Sequence, residues 1–477
     1  MSVQENKLKA IADAIREKDG TTEPIPANDF AARILAIQGG GGVTLESISI
    51  TAPPSKVSYK TGDLFDPTGM SVWAEFSNGY GLYVNHADLV FDPAGPLEER
   101  TDSVTVRFSW GGETAEITQA ISVKNVNIYG VEWDGSASTK LSRTDDATGF
   151  TDPVPAVGNS AGSSPFDDIM PWSGMVRTTQ DGNELVAIPK YWLKVQHSPF
   201  RVQIADYPED GFQVSPAHRD REDGQGERDV VYIGRYECDN SYMSKSGQSP
   251  KHTTALATFR SGIHGLGTEY WQADFALQLT WWFLYIVECA DWDGQAAVGQ
   301  GRVSSSVAIN TGATDSMTYH TGCTTGTTGQ TAVQYRYIES PWGNVSEWRD
   351  GIIFSNTIIC TRNRPASFSD SANGNGITVR SNTRPKVTGF IKAWGHDSND
   401  PSFIYPSQIG GSETTFIPDQ YSFEAYGSGP HALIVSGAWA FGSSAGPFFT
   451  NCNYTPSTTP ANVGSRLMKL PNKEEAA

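Results

Sequence analysis

The side chains most able to do chemistry, five cysteines and eight histidines, are scattered along a chain of 477 residues. The thiols are Cys238, Cys289, Cys323, Cys360 and Cys452. They are odd in number and include no CxxC pair, so they predict neither a zinc site nor a disulfide framework and fit synthesis in a reducing cytoplasm. No two histidines have the HxxxH spacing of a helical metal site. The sequence therefore predicts no metal and no cofactor.

One aspartate-rich stretch has a spacing that could hold calcium. In HDSNDPS (396–402), Asp397, Asn399 and Asp400 supply the oxygen atoms that this ion prefers. Asx-rich turns are far commoner than metal loops, so we interpret the stretch as a turn.

The remaining acidic groups also favour structural roles. The pairs Asp145–Asp146 and Asp167–Asp168 follow turn residues, and we interpret them as loop caps. The charged stretch 206–229 is interpreted as a solvated excursion and not as an acid–base site. GSG and GNG fragments lack the strand–helix context of a phosphate loop. We therefore predict no catalytic residue and no enzyme.

Composition and charge exclude several further classes of protein. Hydrophobic residues make up 38% and charged residues 18%, a globular composition rich in loops. The formal charge of −18 argues against nucleic-acid binding and against anionic membranes. The longest apolar run, Trp281–Val287, is far shorter than the ~20 residues of a membrane-spanning helix. Residues 1–18 carry charges where a signal peptide has its apolar segment.

Residues 1–42 predict a helical segment followed by a glycine linker. Leu8, Ile11, Ala12 and Ile15 form a one-sided apolar stripe, and a second short helix is predicted over 30–37. Neither helix can bury its stripe alone. We expect a docking or trimerising segment, with an intramolecular helical hairpin as the alternative.

Residues 43–124 alternate apolar and polar residues with the period of β strands. LESISIT, MSVWAEF, SVTVRFSW and AEITQAISV are separated by turn residues, and SNGY (77–80) predicts a tight hairpin turn. Several short strands in this length predict an all-β sandwich. The stretch resembles bacterial immunoglobulin-like modules, which serve as spacers on adhesins and phage tail proteins.

Residues 125–477 predict one large α+β unit whose surface is mostly loop. Its one strong amphipathic helix is predicted within 270–291. The end of that helix is too apolar for a surface position, so we expect it beneath the core.

The motif WGNVSEWRDGI (342–352) is the most specific signal in the sequence. It resembles the GNVWEW segment of the formylglycine-generating-enzyme family, a branch of the C-type lectin fold. NVGSRL (462–467) resembles that family's closing strand. The stretches 128–150, 164–175 and 282–301 resemble parts of the same domain in phage proteins, and the N-terminal segment is similar to one common in phage structural proteins. The resemblance implies a C-type-lectin-like domain over 125–477.

Physically, the motif predicts a core. Trp342 and Trp348 supply large apolar faces, and Asn344 can cap turns. Glu347, beside Arg349 and Arg466, could form a buried charge-assisted pair that holds the last strand. The family's enzymes carry a late cysteine pair that binds copper. Here one cysteine stands alone in the closing segment, which argues against the enzymatic interpretation.

The closing segment 436–467 contains no Asp, Glu or Lys, and its only charge is that of Arg466. It resembles the hypervariable receptor-binding stretch of lectin-fold proteins that phages diversify by retroelements. The resemblance implies a frame of Gly437, Trp439, Gly442, Ala445, Gly446, Phe448, Pro456, Gly464 and Arg466. The positions expected to face outward and bind a ligand are Ala440, Phe441, Ser444, Asn451, Asn453, Tyr454, Thr455, Thr458 and Thr459. Low charge and a mixture of aromatic and hydroxyl or amide groups suit protein contact, as in antibody loops.

These observations together predict a multidomain phage tail receptor-binding protein. We expect a virion location after synthesis in the host cytoplasm, a homotrimer, other tail proteins as partners, and a host-surface protein or glycan as receptor. No nucleic acid and no membrane insertion are expected. The alternatives are a structural tail or decoration protein without receptor contact and a formylglycine-generating-type oxidase.

Overall fold

The computed structural model describes residues 3–30, 33, 43–325, 328–423 and 429–473. The chain divides into two compact units, Met1–Val126 and Asn127–Ala477. Both units are built mostly from β strands, so the protein is a β-rich multidomain chain.

The N-terminal unit begins with one helix, α1 (Val3–Asp19). Its apolar stripe is only half covered, because Ala12 and Ile15 are buried while Leu8 and Ile11 are 40% and 43% exposed. A single 3-10 turn follows at Ala27–Asp29. Apart from Phe30 and Arg33, the second predicted helix lies outside the described residues, as does the glycine linker.

The strands of the N-terminal unit follow the period-two pattern of the sequence. They are β1 (Leu45–Ala52), β2 (Ser58–Lys60), β3 (Ser71–Phe76), β4 (Gly81–Val84), β5 (Leu89–Asp92), β6 (Ser103–Trp110), β7 (Glu113–Ala120) and β8 (Ser122–Lys124), with a 3-10 turn at His86–Asp88. They form the sheets β1-β3-β4 and β5-β6-β7 and the parallel pair β2-β8. Alternate residues of both three-stranded sheets are buried in one core that includes Val72 and Val106. The expected turn at 77–80 joins β3 to β4, with Phe76 N donating to Tyr80 O at 2.9 Å.

The described residues of the C-terminal unit form three helices and many short strands. The helices are α2 (Leu256–His264), α3 (Phe275–Cys289) and α4 (Gly294–Ala297). The strands are β9 (Ile128–Trp133), β10 (Ser142–Asp145), β11 (Ala156–Val157), β12 (Arg177–Gln180), β13 (Asn183–Pro189), β14 (Trp192–His197), β15 (Phe200–Ala205), β16 (Gln213–Val214), β17 (Val230–Gly234), β18 (Tyr270–Gln272), β19 (Gly322–Cys323), β20 (Val333–Tyr335), β21 (Ile338–Glu339), β22 (Ser346–Ser355), β23 (Ile358–Arg362), β24 (Ile377–Ser381), β25 (Gly389–Asp397), β26 (Asp400–Ile409), β27 (Ile417–Ser422), β28 (Pro430–Val435), β29 (Thr450–Asn451), β30 (Val463–Ser465) and β31 (Leu467–Lys469). Four 3-10 turns lie at Trp172–Gly174, Pro216–His218, Pro365–Ser367 and Gly442–Ser444.

Helix α3 lies at the centre of this unit, as the sequence predicts. It begins at Asp274, whose carboxylate accepts from Leu277 N, and every residue from Leu277 to Cys289 is buried. A helix that is apolar on all sides needs covering on all sides. Trp172 and Tyr191 donate hydrogen bonds to carbonyls of α3, at 3.0 Å to Leu284 O and 2.7 Å to Thr280 O respectively.

Two sheets share the end of the chain. One is a nine-stranded sheet with the order β24-β23-β22-β28-β29-β27-β25-β26, in which β30 pairs with β22 in parallel. The other has the order β12-β13-β17-β31-β18. Because β30 and β31 are consecutive, the segment from Val463 to Lys469 passes directly from one sheet to the other.

Arg466 stands between these two closing strands and is fully buried. Its Nε and Nη2 donate to Glu347 Oε1 at 3.0 and 2.8 Å. The other carboxylate oxygen of Glu347 accepts from Arg349 Nη1 at 2.6 Å. Burial favours the neutral acid, but the charges of Arg466 and Arg349 outweigh it and lower the pKa of Glu347. The predicted buried pair is therefore present, as a carboxylate held by two guanidinium groups.

The same arginine also closes the backbone around it. Arg466 Nη1 donates to the carbonyls of Gly234 and Arg235 at 2.9 and 2.7 Å, and Nη2 donates to Glu339 O at 2.8 Å. Arg349 Nε reaches Gln278 Oε1 in α3 at 2.6 Å. One charged cluster thus connects β22, the ends of β17 and β21, the closing strands and the central helix.

The charged stretch 206–229 is not the solvated excursion that the sequence predicts. Its middle forms β16 and a 3-10 turn, Pro216–His218, whose three residues are buried. Ala217 N donates to Thr280 Oγ1 at 2.9 Å, which fixes the turn on α3. The prediction was wrong because the arginines of this stretch bind carboxylates and carbonyls of other segments, such as Asp274 and the carbonyl of Pro471.

His218 is held in this turn as a neutral imidazole. Nε2 donates to Ile188 O at 2.8 Å, which leaves Nδ1 to accept from Ser215 Oγ at 2.7 Å. Burial, opposed in part by the bond to Ile188, lowers the pKa of His218 to about 4.

We predict that Glu347→Gln lowers the free energy of unfolding of the C-terminal unit by about 3–5 kcal/mol, because it leaves two buried guanidinium groups without a counter-charge. Chemical denaturation followed by tryptophan fluorescence measures this loss. Glu413→Gln, which removes the same charge from an exposed position, is the matched control and should change stability little. Equal stability of the two variants would contradict the role given to Glu347.

The buried His218 predicts a loss of stability in mild acid. Between pH ~6.5 and ~4 the unfolded chain binds a proton at this residue and the folded chain does not, so stability falls as the pH falls. The expected loss is about 3 kcal/mol over that range. Denaturation of the parent and of His218→Gln at several pH values measures it. At pH 7 the variant should have a lower free energy of unfolding than the parent, and this free energy should fall less as the pH is lowered. If the two plots of unfolding free energy against pH are parallel, His218 is not the titrating group.

Candidate binding face in the closing segment

The motif at 342–348 forms the base on which the closing segment rests. Gly343 has φ +80°, and a Cβ there would lie 2.8 Å from Arg302 O, so only glycine fits without strain. Asn344 donates through Nδ2 to Glu237 Oε2 at 2.6 Å and accepts from Ile309 N at 2.9 Å. The carbonyl of Asn344 accepts from Trp439 N at 3.0 Å, which ties the first turn of the face to the motif.

Glu237 is the buried acid beneath this base. Its second oxygen accepts from Val345 N at 3.0 Å. Burial raises the pKa of Glu237 well above its usual range. The negative charge of Glu347 also raises this pKa, and the positive charge of Arg466 lowers it only in part. A carboxyl with a raised pKa beside two amide donors is a structural group here, because both of its oxygens are occupied by the motif.

Small residues let the closing segment lie close to the fold. Gly437 has φ +74°, and a Cβ there would lie 2.6 Å from Ala445 Cβ. A Cβ at Gly446 would lie 2.0 Å from the carboxylate of Asp419, which accepts from Phe448 N at 2.6 Å. Burial raises the pKa of Asp419 well above its usual range. These positions belong to the frame that the sequence predicts.

The first patch of the candidate face consists of Ala440, Phe441 and Ser444. Ala440 is exposed, and the other two are half-buried. The Phe441 ring packs edge-on against buried Phe449, with centroids 5.1 Å apart. Phe441 is thus more covered than the sequence predicts. Gly442 N donates to Val303 O at 2.9 Å, so the patch rests on the segment that follows α4.

The second patch consists of Asn453, Tyr454, Thr455, Thr458 and Thr459. Tyr454, Thr455 and Thr459 are exposed, and the other two are half-buried. The hydroxyl groups of Thr455 and Thr458 lie 2.9 Å apart and hydrogen-bond to each other. The backbone of Tyr454 accepts from Ala432 N at 2.9 Å, which fixes the patch at the edge of β28. Eight of the nine predicted residues therefore keep some exposed surface.

Asn451 is the exception and does not face outward. It is only 7% exposed because it lies in β29, between β27 and β28 of the nine-stranded sheet. Its side-chain oxygen accepts from Asn453 N at 2.8 Å and shapes the start of the second patch. We therefore remove Asn451 from the ligand-binding set.

A segment that sequence reasoning missed, Lys251–Ala255, connects the two patches. The ring of His252 lies 6.0 Å from that of Trp439, beside the first patch. Thr253 N donates to Val463 O at 3.2 Å, and Leu256 N, just beyond the segment, donates to Pro456 O at 3.1 Å, beside the second patch. Gly464 permits this passage, since a Cβ there would lie 2.4 Å from Lys251 O. Nothing near this segment in the sequence could have indicated its position, because the contacts span about two hundred residues.

We group the two patches with this segment, which contacts residues beside both, and call the group the C-terminal face. It is nearly free of charge. Glu413 lies beside the first patch and accepts from Ser443 Oγ at 2.6 Å, and Lys251 is a cation on the connecting segment. A surface of this kind can be desolvated without stripping water from many ions.

The groups considered for chemistry occupy structural positions. All five cysteines are buried and unpaired by disulfides, and burial raises the pKa of Cys452 to about 12, which disfavours the reactive thiolate. Asp397 and Asp400 both bind Arg380 in the turn between β25 and β26. No group of three or more possible metal ligands occurs within the described residues.

In the aspartate pairs that we interpret as loop caps, Asp145 and Asp167 also bind basic side chains of distant segments. Asp146 accepts from Ile128 N at 2.7 Å, as a loop cap should, but Asp145 binds Arg201 at 2.8 Å. Asp167 accepts from Ser164 N and also binds His320 Nε2 at 2.8 Å. Such ion-paired contacts between segments are not visible in local sequence.

Among the described residues, no helix has the length and apolar composition required to cross a bilayer.

No protein-family model matches the chain, and no curated protein matches it. Among solved structures, the chain is similar to the Major Tropism Determinant U1 variant, with 12% identity and a TM-score of 0.24, over 82% of this chain and 89% of that one. It is also similar to the M1 variant, with 12% identity and a TM-score of 0.25 over the same shares, and to the I1 variant, with 12% identity and a TM-score of 0.24 over 87% of this chain and 98% of that one. At these TM-scores and identities the likeness is too weak to transfer a function.

Proposed function

We propose that the protein is a phage tail receptor-binding protein that contacts a host-cell surface ligand through the C-terminal face. The observation that carries this proposal is the combination of a nearly uncharged, aromatic and hydroxyl-rich surface with a frame beneath it that buried charges hold together. Exposed Tyr454 offers contact area at small entropic cost, and the threonines around it offer adaptable hydrogen bonds. The ligand-binding residues in this proposal are Ala440, Phe441, Ser444, Asn453, Tyr454, Thr455, Thr458 and Thr459.

The frame supports variation at the face. Gly437, Ala445 and Gly446 are held by close packing, and Arg466 is held by Glu347, whereas four of the eight face residues are exposed. A scaffold of this kind tolerates substitutions in the loops that it carries. We propose on this basis that the domain is C-type-lectin-like and that the face is diversified.

We assign attachment and spacing to the N-terminal unit. Leu8 and Ile11 are exposed on α1 and offer an apolar stripe for a second copy or another tail protein. The strands that follow fit an immunoglobulin-like spacer. A homotrimer would present several faces at once, and linked weak contacts then add up to firm adhesion.

The second candidate function is a structural tail or decoration protein, in which another virion protein covers the C-terminal face. The same uncharged surface favours it, because an obligate interface is also poor in charge. An oxidase of the formylglycine-generating type is disfavoured, since buried Cys452 lies apart from a partner thiol in sequence and its pKa is raised. We propose no catalytic activity.

We predict that Tyr454→Ala, alone and with Phe441→Ala, weakens adsorption of the purified protein to the bacterial cells that bind the parent. A central aromatic anchor contributes about 2 kcal/mol or more to binding, so each loss should reduce affinity by at least tenfold. The measurement pairs a cell-binding titration with a melting temperature for every variant. Tyr454→Ala should melt like the parent, whereas Phe441→Ala should melt slightly lower because it loses the contact with Phe449.

Tyr80→Ala is the matched control, since Tyr80 is 71% exposed and lies in the N-terminal unit. It should keep both adsorption and melting temperature. Undiminished adsorption by the folded double variant would place the receptor site elsewhere. A parent protein that binds no cells but assembles with other virion proteins would favour the structural alternative.

A further inference from the structure

A second candidate site lies away from the C-terminal face, in a cavity of about 60 Å³ at the start of α3. Four arginine side chains from three segments line it, together with two carboxylates. The arginines are Arg219, Arg221, Arg362 and Arg380, and the carboxylates are Asp274 and Asp400. Asp397, which binds Arg380 at 3.2 Å, still leaves an excess of one positive charge. In a chain with a net charge of −18, such a cationic cavity is a local exception.

One of the residues that line the cavity, Arg221, has an unused donor. Arg221 is 1% exposed; its Nε donates to Asn363 O at 2.8 Å and its Nη2 to Asp274. Its Nη1 atom is buried and has no hydrogen-bond partner among the described residues. A buried guanidinium N–H without an acceptor is costly, and an oxyanion in the cavity would supply the missing acceptor.

The other arginines are fixed in position around this donor. Arg219 donates to Asp400 at 2.9 Å and to Ser402 Oγ at 2.8 Å. Arg362 donates only to backbone carbonyls, of Ser371 and Asn373, so its charge is not neutralised by a carboxylate. Arg380 is held by Thr361 Oγ1 at 2.8 Å and lies over the Phe403 ring. Their geometry is therefore set before any ligand binds, which lowers the entropic cost of binding.

An open groove of about 540 Å³ adjoins the cavity and shares Arg219 and Asp400 with it. Half-buried Trp192 and Phe212 line the groove, together with the amides of Gln213 and Asn399 and the carboxylate of Glu227. Lys190 and Lys194 lie over the Trp192 and Phe212 rings, at 5.4 and 5.8 Å from the ring centroids, and add positive charge beside the carboxylate. Aromatic faces with a few amide groups suit the C–H face and hydroxyl groups of a sugar ring. The cavity, at about 60 Å³, is much smaller than the groove, at about 540 Å³, so we place only the anionic group in the cavity and the sugar ring in the groove.

We propose that this region binds an acidic saccharide. The carboxylate or sulfate group enters the cavity and accepts from Arg221 Nη1, and the sugar ring lies in the groove against Trp192 and Phe212. The site is distinct from the C-terminal face and goes beyond the function proposed above. It would give the same unit a second contact with a glycan surface.

Isothermal titration of the full-length protein with glucuronate, sodium sulfate and glucose tests the proposal. Glucuronate should bind more tightly than sulfate, because it also uses the groove, and sulfate should compete with it. Glucose should bind at least tenfold more weakly than glucuronate. Binding of neither anion by the parent, or equal binding of glucose, would overturn the proposal.

Three variants locate the site. Arg380→Gln should weaken both anions at least tenfold, since it removes a cation and leaves Asp397 and Asp400 less compensated. Trp192→Ala should weaken glucuronate but not sulfate. Arg107→Gln removes the same charge from the N-terminal unit and should leave both affinities unchanged. If Arg380→Gln fails to fold, Arg380→Lys, which keeps the charge but not the planar donor, should still weaken glucuronate.

Equal affinities in all variants would show non-specific ion binding and would overturn the site. The proposal and the C-terminal face fail independently. Tyr454→Ala should bind glucuronate like the parent whatever its effect on adsorption.

Discussion

The C-terminal unit depends on one buried carboxylate, that of Glu347, between Arg349 and Arg466. A buried charge that loses its partner is strongly destabilising, so the carboxylate and the two guanidinium groups must all be in place in the folded unit. Arg466 adds four carbonyl groups to this cluster, from two segments, Gly234–Arg235 and Glu339–Ser340. The closing strands, the motif at 342–348 and the central helix are therefore positioned together by one cluster of charges.

This constraint explains how an irregular surface can be held firmly. The C-terminal face has little regular secondary structure of its own beyond short strands and a 3-10 turn. Its position is set from below, by Asn344 on Trp439 and by Asp419 on Phe448. The residues of the C-terminal face supply the exposed contact area, and the buried residues beneath them hold the closing segment in position. The same division applies at the arginine cavity, where carbonyls and carboxylates fix the guanidinium groups and leave one donor unused.

Local sequence patterns predicted those features whose cause is local. The alternation of apolar and polar residues predicted the strands of the N-terminal unit, and the apolar run predicted that α3 is buried. The residue types of Glu347 and Arg466 indicated a buried ion pair. Features that arise from pairing between distant segments were missed. Asn451 was predicted to face outward, but it lies in β29 between two other strands. The stretch 206–229 was predicted to be solvated because it is rich in charge, but its arginines bind partners in distant segments of the chain. Lys251–Ala255 carries no local signal for its place between the patches. The exposure of individual face residues therefore could not be predicted without the fold, whereas the low charge of the closing segment is evident from the sequence.

The closing strands also have a consequence for biosynthesis. Arg466 and Glu347 are 119 residues apart, and β31 pairs with a strand that is made much earlier still. Before residues 463–469 are made, β30 and β31 cannot link the two large sheets, and Glu347 lacks its bond to Arg466. Folding of this unit is therefore a late event that follows synthesis of residue 469, and a message cut short within the closing segment would yield a chain that exposes its core to chaperones and proteases. Any genetic process that varies the face must accordingly spare the few codons for the strands that follow it.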